Sequence, residues 1–209
     1  EQKYEVRSMK YEVNGFSVNN NPYLPTKTIQ IDLTVSEDEI FQRFTEAKRR
    51  AVRRAVKNNV VIKESKDIEE FIKLKSRDFW PLGFLMSKDV RALWDSFRPK
   101  NASVVIGYYN KKPVAGVLLL FYDNIVYYWM AASTNEGKKL FAPTLLVWET
   151  LKLAKQKGCI VFDFEGIYDE RFAKATRKWQ GFTKFKEGFG GETISYPEPL
   201  IKRYFYIAF

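Results

Sequence analysis

Two carboxylates stand at the end of an apolar run in the C-terminal third of the chain. Residues 160–162 are apolar and lead into Asp163 and Glu165, a pattern that predicts a buried strand. Side chains two residues apart on a strand point to the same face, so this pair could hold an ammonium group or take its proton. Ion pairs of these carboxylates with Arg171 or Arg177 would explain them equally well. Glu165, nearer the strand end, is the stronger catalytic candidate.

A lysine and a glycine-containing loop follow this strand. Residues 170–180 predict a basic helix, and residues 182–186 predict a second short strand that ends in Lys186. Gly190 and Gly191 come next; they indicate a tight turn, or else the close approach of a ligand to the main chain. A strand, a crossing helix and a strand running into glycines would form one edge of an active site, although these residues do not by themselves name the reaction.

The charge balance and the missing histidine limit the chemistry further. The chain carries 35 Lys and Arg against 25 Asp and Glu, a net charge of +10, and no histidine. Ser-His-Asp and Cys-His nucleophile systems and His-based zinc sites are therefore excluded. Proton transfer must use Asp, Glu, Lys, Tyr or the substrate, and we expect no metal and no cofactor. The positive charge favours an anionic partner, although solubility would explain it equally well.

The elements that must position these residues predict one mixed α/β core, for which 209 residues suffice. The predicted order is strand, helix, strand, two helices, a three-stranded antiparallel meander, helix, strand, helix and strand. The meander occupies 102–109, 113–122 and 125–132, and the strand from Cys159 should pair in parallel with an earlier one. No apolar run approaches the ~20 residues that a membrane-spanning helix needs.

The N-terminal part is predicted to lie outside this core. Residues 1–27 are polar and proline-containing, with a short strand at 11–13, and we expect a linker or the remnant of a preceding domain, with the folded domain at 28–209. Because the chain begins with Glu1, we expect further sequence upstream. A single cysteine fits a reducing cytoplasm.

A strongly basic helix is predicted near the N-terminal end of the folded domain. Ser36 and Glu39 form a capping box, which predicts a helix that runs to about residue 58. Like charges stacked four residues apart repel by roughly a few tenths of a kcal/mol per pair, so a sequence that keeps them could gain from binding a polyanion. A solvated face is the alternative. The basic residues proposed to contact nucleic acid are Arg49, Arg50, Arg53, Arg54 and Lys57.

This order of elements is similar to the GNAT-type acyltransferase fold. More closely, it resembles the Fem family of aminoacyl-tRNA-dependent transferases that build peptidoglycan bridges. The resemblance covers about residues 26–195, and its most specific part is FK at 185–186 followed by FGG, behind a strand with DFEG. Family members usually contain two tandem GNAT-like domains, and this chain resembles the second. Other matching segments are LKSRDFWPLGF (74–84), KPVAGVLLL (112–120), YYWMAAS (127–133) and FAPTLLVWETLKLAKQKG (141–158).

The resemblance implies a reaction and its partners. The donor would be aminoacyl-tRNA and the acceptor the amino group of a nucleotide- or lipid-linked muramyl peptide, so that the protein would act in the cytoplasm and at the inner face of the plasma membrane. Residues 135–139 (NEGKK) replace the loop that cradles the CoA pyrophosphate in ordinary acetyltransferases, which argues against acetyl-CoA. The long helical arm of some relatives is also missing.

The resemblance also implies roles for individual residues. Lys186 would stabilise the negative charge that develops when an amine attacks the aminoacyl ester; an exposed strand lysine is the alternative. Arg77 would grip a diphosphate, or else form an ion pair with a neighbouring carboxylate such as Asp78. Tyr128 would contact substrate, or else lie at the edge of the core. The remaining predicted contacts are Phe185, Gly190 and Gly191 with substrate and Arg177 with tRNA.

Two other functions stay open. One is an N-acyltransferase of the same fold with a different donor and a small-molecule acceptor in cell-envelope synthesis. The other is a non-catalytic module that binds RNA or phosphate through the basic helix. An enzyme and a pure binding module can be told apart by removing Lys186. This change would abolish acyl transfer by an enzyme, but it would not alter the affinity of a binding module for RNA.

Overall fold

The computed structural model of the protein describes residues 15–77 and 83–202. The strands are β1 (Phe16–Val18), β2 (Lys27–Asp32), β3 (Val61–Ser65), β4 (Ala102–Tyr109), β5 (Lys112–Tyr122), β6 (Ile125–Ser133), β7 (Val161–Gly166), β8 (Glu192–Ser195) and β9 (Leu200–Lys202). The helices are α1 (Glu37–Arg43), α2 (Glu46–Lys57), α3 (Ile68–Ser76), α4 (Gly83–Phe97), α5 (Asn135–Lys139), α6 (Ala142–Gln156), α7 (Ala173–Thr176) and α8 (Gln180–Glu187). Short 3₁₀ turns, Glu170–Phe172 and Arg177–Trp179, flank α7.

Seven strands form one mixed sheet in the order β3-β4-β5-β6-β7-β2-β8. Neighbouring strands are antiparallel except β6 and β7, which are parallel over three residue pairs, from Ile125↔Val161 to Tyr127↔Asp163. The predicted α/β class, the antiparallel meander and the parallel pairing of the strand after Cys159 are confirmed. A separate two-stranded sheet pairs β1 with β9.

Helices cover both faces of the seven-stranded sheet. Side chains of α2 and α6 pack with one face, and those of α3 and α4 pack with the other. The central strand β5 shows the division, because Val117 and Leu119 belong to the first core cluster while Leu118 and Leu120 belong to the second. A strand covered on both faces must be apolar throughout, which is why the residues of β5 do not alternate with polar ones.

The predicted helix from Ser36 to about residue 58 is two helices. Ser36 caps α1 as expected, but Phe44 is extended (ψ 144°), and Thr45 caps α2 with its side-chain oxygen. Phe44 is buried against Phe41, Trp148 and Phe189, with ring centroids 5.0–5.6 Å apart. Burial of this ring accompanies the break, a tertiary effect that helical periodicity does not register.

The segment predicted as a strand over residues 182–186 is helical. It belongs to α8, and the predicted basic helix over 170–180 is α7 with its two flanking 3₁₀ turns. The alternation of apolar and polar residues in FTKFK fits a strand, but Phe182, Phe185 and Phe189 also recur at helical spacing. Strands β8 and β9 were not predicted. The expected strand at 11–13 lies outside the described residues, and the division at residue 28 stays a prediction.

The C-terminal end of α8 is attached to the α1–α2 junction. The Thr45 amide donates to the Gly188 carbonyl oxygen (2.9 Å), and the Lys48 ammonium lies 3.7 Å from the centroid of the Phe185 ring. Gly190 has φ +74°, and a Cβ there would overlap the Arg43 carbonyl oxygen. Glycine at position 190 therefore allows this segment to pack closely against the end of α1.

Among the described residues no helix is long and apolar enough to cross a membrane.

We expect Gly190→Ala to lower the free energy of unfolding by at least about 2 kcal/mol, because alanine is strained at positive φ and would meet the Arg43 carbonyl. Gly181→Ala is the matched control, because Gly181 lies within α8 with open space at its Cβ. That change should raise stability by up to about 1 kcal/mol. Urea denaturation of both variants measures the difference, and equal stability would contradict the packing described for Gly190.

Candidate active site

A cavity of about 860 Å³ opens where the parallel pairing of β6 and β7 ends. Beyond Tyr127↔Asp163 the two strands are no longer paired, and the space is lined by the remaining residues of β6, the end of β7, the start of α6 and one face of α8. Its lining includes Lys75, Tyr128, Trp129, Lys138, Phe141, Glu165, Trp179, Phe182, Phe185 and Lys186. Such a large, mostly apolar cleft with a few charged groups is the usual form of a substrate site.

A β-bulge at the end of β7 aims Glu165 into this cavity. Thr28 pairs with Gly166 and Gln30 with Asp163, so two residues of β7 stand opposite Ile29 alone. Glu165 lies at this bulge and has φ +62°, an uncommon conformation for a residue other than glycine. The extra residue separates the two carboxylates, because Glu165 lines the cavity while Asp163 does not. The expectation that both side chains share one face is therefore wrong.

Asp163 is buried among uncharged donors. Its exposed fraction is 1%, and it accepts hydrogen bonds from the Thr28 hydroxyl (2.6 Å), the Gln30 side-chain amide (2.8 Å) and the Glu165 backbone amide (2.6 Å). The alternative of an ion pair with Arg171 does not hold, since Arg171 binds Asp169 through a 2.7 Å salt bridge.

The Lys186 ammonium is buried at the cavity wall. Its Nζ donates to the Gly166 carbonyl oxygen (2.7 Å), and the side chain is 9% exposed. Burial lowers the pKa of Lys186 to about 8, although Glu165 and Asp163 act in the opposite direction. Lys186 is thus neither on a strand nor exposed, and it lies in the same cavity as Glu165.

The pKa of the Glu165 carboxyl is raised, because burial disfavours its charged form just as it disfavours the charged form of Lys186. Burial and the neighbouring Asp163 raise it to about 7, while Lys186 lowers it in part. A carboxyl group and an ammonium group that both titrate near neutrality can exchange protons with a substrate at physiological pH.

The face of α8 and the turn before it supply two further lining residues that were not predicted from the sequence, Trp179 and Phe182. Trp179, Phe182 and Lys186 line the cavity together, at spacings of three and four residues. The signal is present in the sequence, but only if residues 179–187 are taken as helical. Trp179 also packs on Gly166, where a Cβ would approach its ring to 2.7 Å. Glycine at position 166 therefore allows this indole to form part of the wall.

Other lining residues come from β6 and the helices around it. Trp129 and Phe141 contribute aromatic surface, while Lys75 and Lys138 contribute positive charge, and none of the four was predicted. The Lys75 ammonium donates to the carbonyl oxygen of Ala131 on β6 (3.1 Å). The described wall thus carries three lysines, Lys75, Lys138 and Lys186, and one carboxyl group, that of Glu165. This excess of positive charge suits an anionic substrate.

Two predicted substrate contacts, Tyr128 and Phe185, line the cavity. Tyr128 is also part of the core, with ring centroids 5.9 Å from Phe162 and 5.7 Å from Phe164, and burial raises the pKa of its hydroxyl.

The structure places the other predicted substrate contacts away from the described cavity wall. Arg77 is exposed at the end of α3, and Lys75, two residues earlier, lines the cavity. Gly191 closely approaches the Gln30 carbonyl oxygen, much as Gly190 approaches Arg43. Both glycines allow contact between segments of the protein, which accounts for them without a ligand.

The basic residues of α2 are partly engaged by the protein. The Arg49 guanidinium donates to the Gln42 carbonyl oxygen (2.9 Å) and to that of Phe44, so it stabilises the α1–α2 junction. Arg50 forms a 3.2 Å salt bridge with Glu46, and Arg53 lies 5.9 Å from the ring centroid of Phe41.

Four of the five residues of this basic face, Arg50, Arg53, Arg54 and Lys57, are exposed, and so is Arg177. The Arg54 guanidinium lies 5.7 Å from the ring centroid of Phe141, which itself lines the cavity, and Lys57 follows one turn later. The basic face of α2 thus reaches the cavity wall through Phe141.

Across the described residues no group of three or more His, Cys, Asp or Glu is arranged to hold a metal ion.

Sequence comparison gives one family match. The model of the FemAB family matches residues 97–198, just under half of the chain, a range that contains β6, α6, β7, α8 and Lys186. The resemblance to the Fem family is confirmed. No curated protein sequence shows significant similarity to the chain.

Solved structures show the same fold as this Fem-like chain. The crystal structure of FemX superposes with a TM-score of 0.66 and 15% identity, over 87% of this chain and 64% of that one. The C-terminal domain of a putative lysylphosphatidylglycerol synthetase from Agrobacterium fabrum gives 0.55 and 11%, over 89% and 61%. At these identities the likeness concerns the fold, and the FemX match confirms the predicted fold class. The chain spans under two thirds of the length of these structures.

We expect the titrations of Glu165 and Lys186 to be reciprocal, because each charge favours the other. Glu165→Gln should lower the pKa of Lys186 below about 8, and Lys186→Met should raise the pKa of Glu165 above about 7. NMR titration of the labelled side chains measures both. Lys184→Met, which changes an exposed lysine on the same helix, should leave the Glu165 titration unchanged. A Lys186 that titrates as an exposed lysine does would contradict its burial.

Proposed function

We propose that this protein is an aminoacyltransferase that moves an aminoacyl group from aminoacyl-tRNA to the amino group of a muramyl-peptide precursor of peptidoglycan. The observation that carries the proposal is the placement of Lys186 and Glu165 in one cavity, with pKa values near neutrality. The FemAB match supports a transferase of the cell envelope. The domain would act in the cytoplasm, at the inner face of the membrane when the acceptor is lipid-linked.

Glu165 supplies the proton acceptor in this mechanism. An acceptor amine is an ammonium ion at neutral pH, and the ionised Glu165 takes a proton from it so that the nitrogen can attack the ester carbonyl. The new C–N bond forms while the carbonyl oxygen gains negative charge. Collapse of this intermediate breaks the bond to the ribose oxygen, which leaves with the second proton of the attacking nitrogen, while the first proton passes from Glu165 to solvent. The products are an amide, the free tRNA hydroxyl and one proton, and no other reactant is needed.

Lys186 supplies the electrostatic stabilisation. In its charged form the ammonium lies in a water-poor wall, where it offsets the negative charge on the carbonyl oxygen and then on the departing ribose oxygen. The Gly166 carbonyl fixes its position before substrate arrives, so little reorganisation is required. The donor ester is already activated, and catalysis therefore consists of positioning and charge stabilisation. The reaction requires Glu165 ionised and Lys186 protonated, which limits it to a band of pH around neutrality.

The basic face of α2 gives the donor a route to this wall. A nucleic acid strand along Arg54 and Lys57 would meet Phe141 at the cavity, because the Arg54 guanidinium lies 5.7 Å from the centroid of that ring. Phosphates provide the polyanion that such a face prefers, and an aromatic ring offers a stacking surface for a terminal base. Lys75 and Lys138, which also line the cavity, suit the phosphate or carboxylate groups of the acceptor.

We expect Lys186→Ala to lower the rate of transfer about 10²- to 10³-fold, the usual cost of removing one charge-stabilising donor. Affinity for tRNA should change less than twofold. Lys184→Ala, on the exposed side of the same helix, should retain the wild-type rate. The assay incubates the protein with charged tRNAs and muramyl pentapeptide and follows the acceptor mass, with phosphatidylglycerol vesicles as a second acceptor. Equal rates for the two variants would remove Lys186 from the mechanism.

We expect the double change Arg54→Glu with Lys57→Glu to weaken tRNA binding at least tenfold and to reduce its dependence on salt, because phosphate contacts release counterions. Lys73→Glu with Lys88→Glu is the matched control, since it changes the charge by the same amount with exposed residues of α3 and α4. That control should bind nearly as the wild type does. Filter binding at several salt concentrations measures both, and equal losses would indicate a general charge effect without a defined face.

A further inference from the structure

We propose that Asp163 is a positioning residue that holds the β7 bulge in place, and that it takes no proton itself. This inference rests on the proposed function, because the bulge matters for the acceptor amine that Glu165 serves. Asp163 was expected to share the catalytic role, but it is buried and does not line the cavity. Its contacts indicate what it does there.

The first contact fixes the backbone of Glu165. The Glu165 amide donates to Asp163 Oδ1 at 2.6 Å, and Glu165 has φ +62°. A residue other than glycine keeps this conformation only where its surroundings determine it. The hydrogen bond to Asp163 is the contact that satisfies this amide within the bulge, where the ladder to β2 is interrupted. Without an acceptor at this place, the chain would lose the turn that points Glu165 into the cavity.

A second contact joins Asp163 to the backbone of the bulge through Thr28. The Thr28 hydroxyl lies 2.6 Å from Asp163 Oδ1 and 2.7 Å from the Glu165 carbonyl oxygen, so it joins both sides of the bulge. The next carbonyl along, that of Gly166, accepts the Lys186 ammonium. The backbone that Asp163 and Thr28 hold therefore sets the direction of the Glu165 side chain and, through the adjacent Gly166 carbonyl, the position of the Lys186 nitrogen.

The surroundings of Asp163 suit a fixed acceptor better than a proton carrier. From β2 it meets the uncharged Thr28 and Gln30, and the Tyr196 hydroxyl lies 3.4 Å from its Oδ2. Tyr127, Tyr196, Glu165 and Lys186 are the titratable groups whose pKa values it affects. Both tyrosines have raised pKa values, by burial first and by Asp163 next, so they stay neutral donors at physiological pH. None of these contacts brings the carboxylate to a substrate.

The decisive experiment compares Asp163→Asn with Asp163→Ala. Asparagine keeps an oxygen for Thr28 and for the Glu165 amide, and Gln30 can turn its own amide to accept from the new nitrogen. We expect kcat of Asp163→Asn to stay within about threefold of the wild type at its own pH optimum. The acid limb should move to lower pH, because the charge that raises the pKa of Glu165 is gone. Asp163→Ala should lower kcat about 100-fold with KM little changed.

Thr28 provides an independent pair of variants if Asp163→Ala fails to fold. Thr28→Ser keeps the hydroxyl and should retain most of the rate, whereas Thr28→Val should lower kcat about tenfold. If Asp163→Asn abolishes transfer at every pH, Asp163 itself moves a proton and the proposal is overturned. It is also overturned if Asp163→Ala leaves both the rate and the Glu165 titration unchanged.

A readout without substrate separates this inference from the proposed function. The ¹³Cα and ¹³Cβ shifts of Glu165 report its backbone conformation, and its carboxyl carbon reports its pKa. Asp163→Asn should keep the wild-type backbone shifts and lower the pKa of Glu165 from about 7, while Asp163→Ala should change the backbone shifts. If the wild type transfers no aminoacyl group but these shifts behave as described, the proposed function is wrong and the role of Asp163 stands.

Discussion

A half-buried carboxyl group and a buried ammonium group, held on one wall of a cavity, are the constraint on which the rest of this site depends. Burial alone would neutralise both, since a charge loses its hydration when it leaves water. The charge on each group partly stabilises the ionised form of the other. The pKa values of about 7 for Glu165 and about 8 for Lys186 result from that balance. A small change in the dielectric or the geometry of the wall would shift both groups together.

The fold creates this wall by separating two strands that begin as neighbours. Parallel pairing of β6 and β7 stops after Tyr127, and the space between them is then closed by α6 and α8. The bulge in β7 selects which acidic side chain faces the space. Backbone geometry, more than the identity of the two acids, therefore assigns one carboxylate to the cavity and the other to the scaffold.

Much of this architecture could be predicted from local patterns. The meander, the parallel strand and the cap of α1 follow from turn spacing, apolar runs and the side chain of Ser36. The break at Phe44 and the helical state of α8 could not, because both depend on rings that meet across the core, such as Phe44 and Phe189 at 5.0 Å.

The candidate site was predictable to the same limited extent. Glu165 and Lys186 were found by residue type and by family resemblance, and both lie in the cavity. Trp179 and Phe182 were missed because their common face exists only on a helix. The bulge that separates Asp163 from Glu165 leaves no pattern in the sequence, since an extra residue in a ladder is defined only by the partner strand.

The attachment of α8 to the α1–α2 junction makes the chain length of that junction critical. Gly188 accepts from Thr45, and Lys48 lies against the ring of Phe185, so the helix that carries Lys186 is located by residues far earlier in the chain. One residue gained or lost between Arg43 and Lys48 would shift this support and displace the ammonium. The same change at the exposed β4–β5 turn would leave it in place. Length variation among relatives should thus be frequent at that turn and rare at the junction.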